Sequence, residues 1–287
     1  MVVYRQEGVA SYAGTSQRVD LFLPSYCFGY NTQKDIDLLE EVPLVVSVDI
    51  PKGSIQEVIL TSRHLGTEER IMIYTPHRYT PLYSYPVVYI QDGDDYLSLG
   101  RLPSLLDQFS HSRETQDVIA VFIPVKKEKR TSRYHPEGEE HAQYKRFLAE
   151  EVVSYIDRHY STHPLGHART LLGESLGGVV SLFTALTYPH TFGQVAAQSG
   201  AFSSSLCAKV NEWEISPQLS VYMEIGTQER EVETSRGVLD LVEGNEQMRE
   251  ILHNKKITLR YETFEGDHTW GYWQANLPHI LHHFLKK

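Results

Sequence analysis

Gly173-Glu174-Ser175-Leu176-Gly177 constrains this 287-residue chain more than any other stretch. It follows Ala168-Arg169-Thr170-Leu171-Leu172, a short apolar run that reads as a buried strand. It precedes residues 178–186, which read as a helix. A serine between two glycines at a strand-to-helix turn is a mount for a nucleophile. The turn is so tight that Ser175 must take a strained conformation. Side chains two positions away on either side would collide with the strand and the helix, which accounts for Gly173 and Gly177. The strain lifts the hydroxyl out of the fold toward a substrate.

The surrounding pattern fits this turn. Residues 55–62 and 69–75 read as an antiparallel pair of strands joined by a loop containing Gly66. Residues 86–91, 118–123, 194–199, 221–225 and 257–264 are short apolar or β-branched runs suited to strands. Between them, residues 102–110, 139–159, 232–253 and 272–285 have helical spacing. Strands alternating with helices predict an α/β fold: a mostly parallel central sheet flanked by helices in three layers. No internal repeat, low-complexity tract or linker divides the chain. We therefore expect a single domain over residues 1–287, with 1–50 as an irregular N-terminal extension. That extension holds one or two short strands in 4–23 and another over 42–50.

Composition narrows the function. The net charge is −10, and the one basic cluster, Lys126-Lys127-Glu128-Lys129-Arg130, is short and reads as a solvated loop. Nothing is present to neutralise a run of phosphates, so no nucleic-acid partner is expected. Two cysteines, Cys27 and Cys207, form no disulfide framework and fit a reducing compartment. No signal peptide and no apolar run of about 18 residues are visible, so a cytoplasmic protein without a membrane partner is expected. The sequence leaves the oligomeric state open.

A serine hydroxyl needs a general base within hydrogen-bond reach, and that base needs an orienting acid. Behind a turn of this kind the acid and then the histidine follow in chain order, on loops after later strands. His268, in Gly266-Asp267-His268-Thr269-Trp270, lies between the last strand and the last helix and is the expected base. Glu229 and Glu231 follow the strand 221–225 and are the candidate acids, with Glu229 preferred. Glu224 lies inside that strand, and Asp267 is too close to His268 in sequence to align with its Nδ1. The oxyanion hole is expected from two backbone N–H groups, that of Leu176 and that of Asp94 in the turn Gln91-Asp92-Gly93-Asp94-Asp95. Asp92 is expected to bond the loop backbone, with Asp94 and Asp95 facing solvent or substrate. His279, His282 and His283 stand at i, i+3, i+4 on the last helix. They lack a carboxylate or cysteine partner in the pattern, so a solvated face is expected in place of a metal site. No cofactor is expected.

Four segments together resemble one family, the esterases of the esterase D and enterochelin esterase type. They are Val87 to Asp94, Gly173 to Gly178, Tyr188-Pro189 with Phe192-Gly193 and Gln198-Ser199-Gly200, and Gly266-Asp267-His268 with Trp270 and Trp273. Arg130 and Arg133-Tyr134 resemble the family's arginine-bearing loop. The resemblance covers roughly Lys52 to Leu285 and implies an α/β-hydrolase without a large lid domain. It implies Ser175 and His268 as nucleophile and base, Asp94 as the second oxyanion donor, and Arg130 and Trp270 as substrate-binding residues. Where the family often has Gly-Thr-x-Asp, this chain has Gly226-Thr227-Gln228-Glu229, one methylene longer at the acid. The expected activity is hydrolysis of a small-molecule carboxylic ester through an acyl-enzyme at Ser175, on a siderophore or other catecholate ester. The competing readings are a non-catalytic binding protein on a hydrolase fold and an acyltransferase. Intact Ser175 and His268 speak against the first. The second would need an exported protein with a long lipid groove.

Overall fold

The computed structural model describes residues 49–215, 218–234 and 237–286. The strands expected in 4–23 and over 42–48, and with them nearly all of the N-terminal extension, lie outside the described residues. Residues 49 and 50 are not in a strand.

The sheet is built from β1 (Ser54–Thr61), β2 (Glu68–Thr75), β3 (Val87–Gln91), β4 (Ile119–Ile123), β5 (Arg169–Glu174), β6 (Gln194–Gln198), β7 (Ser220–Gly226) and β10 (Thr258–Phe264). They lie side by side in the order β1-β2-β4-β3-β5-β6-β7-β10. β1 and β2 pair antiparallel with Val58 opposite Ile71, and β2 is antiparallel to β4. From β4 to β10 every neighbouring pair is parallel. This is the architecture the sequence predicts.

The central strands are apolar runs because both of their faces are covered. Their side chains divide by the period of two. Val87, Tyr89 and Leu171 join one core, while Val88, Ile90 and Leu172 join the other. The first core is closed by α4 (His141–Arg146), α5 (Val153–His159), α6 (Leu176–Thr187), α7 (Ser204–Glu212) and α8 (Leu241–Asn254), through residues such as Tyr144, Ile156, Val179, Val210 and Met248. The second is closed by α1 (Gly93–Ser98), α2 (Leu102–Ser112) and α9 (Trp270–Leu285), through Tyr96, Leu106, Leu277 and Leu281.

Three differences from the sequence reading bear on the site. The basic cluster at 126–130 is not a loop but the start of α3 (Lys127–Tyr134), and Arg133 within it is buried. The helix expected over 139–159 begins at His141 and runs to His159, and Phe147–Val152 between α4 and α5 forms a wider π-helical turn. The helix expected over 232–253 begins only at Leu241. Before it a hairpin forms, β8 (Val232–Thr234) against β9 (Gly237–Leu239), and Asp240 then caps α8 by accepting from Glu243 N–H at 2.9 Å. Gly237 has φ of +106°, which the hairpin uses and a helix interior excludes. The short helices α1 and α7 carry too few periodic positions to have been read from sequence.

β3 lies between β4 and β5, so the chain builds outward in both directions from this point. Connections leaving the carboxyl ends of the strands diverge there and open a crevice. The turn after β3 and the turn after β5 therefore sit beside each other.

Candidate active site

Ser175 occupies the turn between β5 and α6 with φ 54° and ψ −120°, a conformation costing about 1–3 kcal/mol for a residue with a side chain. A methyl group on Gly173 would lie 2.4 Å from the Gly177 carbonyl carbon. One on Gly177 would come within 3.0 Å of Asp92 Oδ2. The turn is held to β6: Ser175 N–H donates to Gln198 O at 2.9 Å, and Ser175 O accepts from Ala201 N–H at 3.1 Å.

His268 stands on the loop between β10 and α9. Its Nε2 lies 3.1 Å from Ser175 Oγ, and its Nδ1 lies 2.6 Å from Glu229 Oε2. Glu229, in the turn after β7, is fully buried. Its other oxygen, Oε1, accepts from Ser199 Oγ–H at 2.7 Å and from Gly226 N–H at 2.9 Å. Ser199 Oγ in turn accepts from Trp273 Nε1–H at 2.9 Å, and the Trp273 ring meets the His268 ring edge-on at 4.8 Å. Serine, histidine and Glu229 thus lie in one hydrogen-bonded line. Glu231, two residues on, is exposed.

Ser199 and Trp273 hold the acid, and sequence reasoning gave neither a role. Ser199 did leave a signal. It follows an apolar strand and precedes a glycine, and in the structure it adopts φ 47°.

The turn after β3 begins at Asp92, in the left-handed region with φ 51° and ψ 44°. Gly93 follows, where a methyl group would lie 2.5 Å from Ile123 N. Asp92 does not bond the loop backbone as expected. Its carboxylate faces inward and takes a fork from Arg130, Nε to Oδ1 at 2.9 Å and Nη2 to Oδ2 at 2.8 Å. Arg130 Nη2 also donates to Glu174 Oε1 at 3.1 Å. The expectation of Asp94 at the surface holds, with its carboxylate exposed and both of its oxygens accepting from Arg70 Nη2, at 2.7 and 2.6 Å. Among the described residues, neither Asp94 N–H nor Leu176 N–H has an acceptor within the protein. The first turn of a helix leaves such donors free and positive.

A second buried carboxyl, Glu224 on β7, lies under the site. It accepts from Gln198 Nε2 at 2.7 Å and from Tyr222 OH at 3.2 Å. Gln198 also accepts from Tyr96 OH at 2.9 Å and donates to Trp273 O at 3.0 Å. Burial pushes the Glu224 carboxyl up to about 8, against those two hydrogen bonds and with a smaller push from Glu229. Burial first, and then neighbouring Asp92, push Glu174 well above the ordinary carboxyl range, with Arg130 opposing. Trp270 opens α9 half-buried, edge-on to Tyr96 at 4.9 Å and to Trp273 at 5.4 Å.

Among the described residues no group of three histidine, cysteine or acidic side chains could hold a metal ion. On α9, His282 pairs with Glu114 at 3.3 Å, while the His279 ring lies against Phe264 and the His283 ring against Phe284. Among the described residues no helix is long and apolar enough to cross a membrane.

A parallel sheet with an antiparallel first pair, a strained serine after its central strand, and an acid and a histidine after later strands define an α/β-hydrolase. Comparison with known proteins narrows this. The chain belongs to the family described as "Putative esterase", which it matches over residues 62–284, and is by class a carboxylic-ester hydrolase. It is 40% identical over 236 residues to the protein YjcH of Bacillus subtilis, covering 81% of this chain and 98% of that one. It is 22% identical over 252 residues to the iron(III) enterobactin esterase of Escherichia coli, covering 83% of this chain and 60% of the relative. Among solved structures it resembles the enterobactin esterase of Shigella flexneri at a TM-score of 0.70 and 20% identity, covering 84% of this chain and 62% of that one. It also resembles a ferulic acid esterase at a TM-score of 0.67 and 17% identity, covering 82% of this chain and 98% of that one.

Proposed function

We propose that the chain is a serine esterase that works through an acyl-enzyme at Ser175. His268 Nε2 takes the hydroxyl proton as Oγ attacks the ester carbonyl. The tetrahedral oxyanion is met by Leu176 N–H and Asp94 N–H, aided by the positive end of α6. Collapse breaks the ester bond, and His268 returns its proton to the leaving alcohol. Water then repeats the sequence on the acyl-enzyme, releasing the acid and restoring the serine. Glu229 holds the imidazole with its proton on Nδ1 and balances the imidazolium. The observation that carries this reading is the Ser175–His268–Glu229 line at 3.1 and 2.6 Å.

For substrate we propose a siderophore or other catecholate ester, handled in the cytoplasm. Similarity to the enterobactin esterases supports this. So does Trp270, a half-buried aromatic ring packed edge-on against Trp273, whose own ring meets His268. Hydrolysis of a panel of p-nitrophenyl esters beside a catecholate trilactone tests the reading, with Ser175→Ala as control. Turnover of the trilactone no better than of simple aryl esters would remove the siderophore assignment. Turnover by Ser175→Ala would remove the serine mechanism.

A further inference from the structure

The two proposed oxyanion donors come from different elements, and their separation has to be fixed to within a fraction of an ångström for both to meet one oxygen. Neither the β3 turn nor the β5 elbow fixes the other by backbone hydrogen bonding among the described residues. A side-chain link does connect them. Asp92 stands two residues before Asp94, and Glu174 two before Leu176. Both carboxyl groups are buried, and Arg130 Nη2 reaches one at 2.8 Å and the other at 3.1 Å.

The link has further contacts on the Arg130 and Asp92 side. Arg130 lies over the Tyr134 ring at 5.4 Å, and Tyr134 OH accepts from Asp92 N–H at 3.1 Å. Asp92 Oδ2 and Glu174 Oε2 both press on Gly177, where a methyl group would sit 3.0 and 3.2 Å from them. The fork on Asp92 also holds its left-handed backbone, a conformation about 1–2 kcal/mol unfavourable for a residue with a side chain. Charge is balanced as well. An uncompensated carboxylate behind an oxyanion hole would oppose the developing negative charge. Arg130 pairs with Asp92, and burial, followed by the neighbouring Asp92 charge, favours the neutral form of Glu174. Finally, Nε and Nη2 of Arg130 are both directed into the protein, where a substrate-binding arginine would turn its fork outward.

We propose that Arg130, Asp92 and Glu174 are positioning residues for the oxyanion hole: Arg130 clamps the turn after β3 to the elbow after β5 and so sets Asp94 N–H against Leu176 N–H. This rests on the serine-esterase reading above. It replaces the expectation that Arg130 binds substrate.

The test uses p-nitrophenyl acetate, an uncharged ester with no anionic group for a guanidinium to pair with, on full-length Arg130→Met, Arg130→Lys and Asp92→Asn. Loss of one oxyanion donor costs about a hundredfold to a thousandfold in other enzymes, and misplacement costs less. Arg130→Met should therefore lower kcat by about tenfold to a hundredfold with KM within about twofold. Its affinity for phenylboronic acid, which becomes tetrahedral and anionic on the serine, should fall by a similar factor. Arg130→Lys keeps the charge but not the fork, and should lose nearly as much. Circular dichroism reports folding. Should Arg130→Met not fold, Asp92→Asn carries the test, because it keeps the shape of the turn and removes the charged fork. A rise in KM at unchanged kcat would make Arg130 a substrate ligand and overturn the inference. Unchanged kcat and boronate affinity in a folded variant would do the same. If Ser175→Ala is inactive while these variants are intact, this inference alone fails. If Ser175→Ala stays active, the serine reading fails first.

Discussion

Replacing Glu229 by glutamine changes one oxygen to NH2, and the contacts decide which way the amide must lie. Oε1 takes two donors, Ser199 Oγ–H at 2.7 Å and Gly226 N–H at 2.9 Å, while Oε2 faces only His268 Nδ1. With the amide oxygen at the Oε2 position, its NH2 would point at the Gly226 N–H. Two buried donors would then oppose each other, at about 1–3 kcal/mol for each unsatisfied group. The oxygen therefore takes the two-donor position, and the NH2 lies against Nδ1. That nitrogen must then accept, so the ring proton moves to Nε2, which faces Ser175 Oγ and can no longer take its proton. A wrong tautomer of this kind costs roughly 10⁴ in kcat in serine proteases, or about 5.5 kcal/mol of barrier.

Glu229→Gln preserves volume, so the loss should fall on kcat, with KM within about threefold. Steady-state turnover of a p-nitrophenyl ester by Glu229→Gln and Glu231→Gln measures this, and ¹⁵N NMR of the His268 ring reads the tautomer directly. Glu231→Gln should behave as wild type, since its side chain is exposed and off the line. More than about a tenth of wild-type kcat in Glu229→Gln, or a ring still protonated at Nδ1, would refute the argument. A severe loss confined to Glu231→Gln would move the acid two residues downstream.

Ser175→Ala should retain less than about a thousandth of kcat and should abolish labelling by a fluorophosphonate read by intact mass. Gly173→Ala should cost activity together with several degrees of Tm, because its methyl group meets backbone at 2.4 Å and no side chain can turn away; an unchanged melt would contradict the tight-turn geometry. Glu224 predicts a pH effect on stability: its folded carboxyl is raised from 4.5 to about 8, so the stability carried by its proton is present below 4.5 and lost as pH rises through 8. Glu224→Gln should therefore gain Tm relative to wild type between pH 5 and 8.5, and a difference that does not vary with pH would refute this. Exhaustive chelation should leave turnover unchanged, and loss that a divalent ion restores would establish a metal requirement.

The sequence made the sheet legible because its central strands are buried on both faces and read as uninterrupted apolar runs. It made Ser175 legible because a tight turn between a strand and a helix admits few residue types, and His268 because it stands on the loop between the last strand and the last helix. It misread α3, since Lys126 to Arg130 looks like a solvated run. The two arginines of that helix turn inward to partners more than thirty residues away in sequence, Arg130 to Asp92 and Arg133 to Glu69. No local pattern contains such pairings. The hairpin in 232–239 was missed for another reason: its short strands are shorter than the window needed to separate a period of two from one of 3.6.

One further pattern was on the page as sequence, and only the fold gives it meaning. Four central strands carry a polar residue at or near their carboxyl ends: Gln91 in β3, Glu174 in β5, Gln198 in β6 and Glu224 in β7, all buried. In strands covered on both faces such residues cost stability unless each is paired. Here each has at least one partner: Gln91 accepts from Tyr144 OH at 2.6 Å, Glu174 from Arg130, and Gln198 from Tyr96 while donating to Glu224, although Gln91 Nε2 and Glu174 Oε2 have none among the described residues. All four lie at the end of the sheet where the strands release their turns, directly beneath Asp92, Ser175, Ser199 and Gly226. An apolar run that breaks to glutamine or glutamate just before a turn rich in glycine and serine is thus the local trace of a polar floor. That floor supports the turns from below. It explains how turns in left-handed or otherwise strained conformations, at Asp92, Ser175 and Ser199, are held at once within one site.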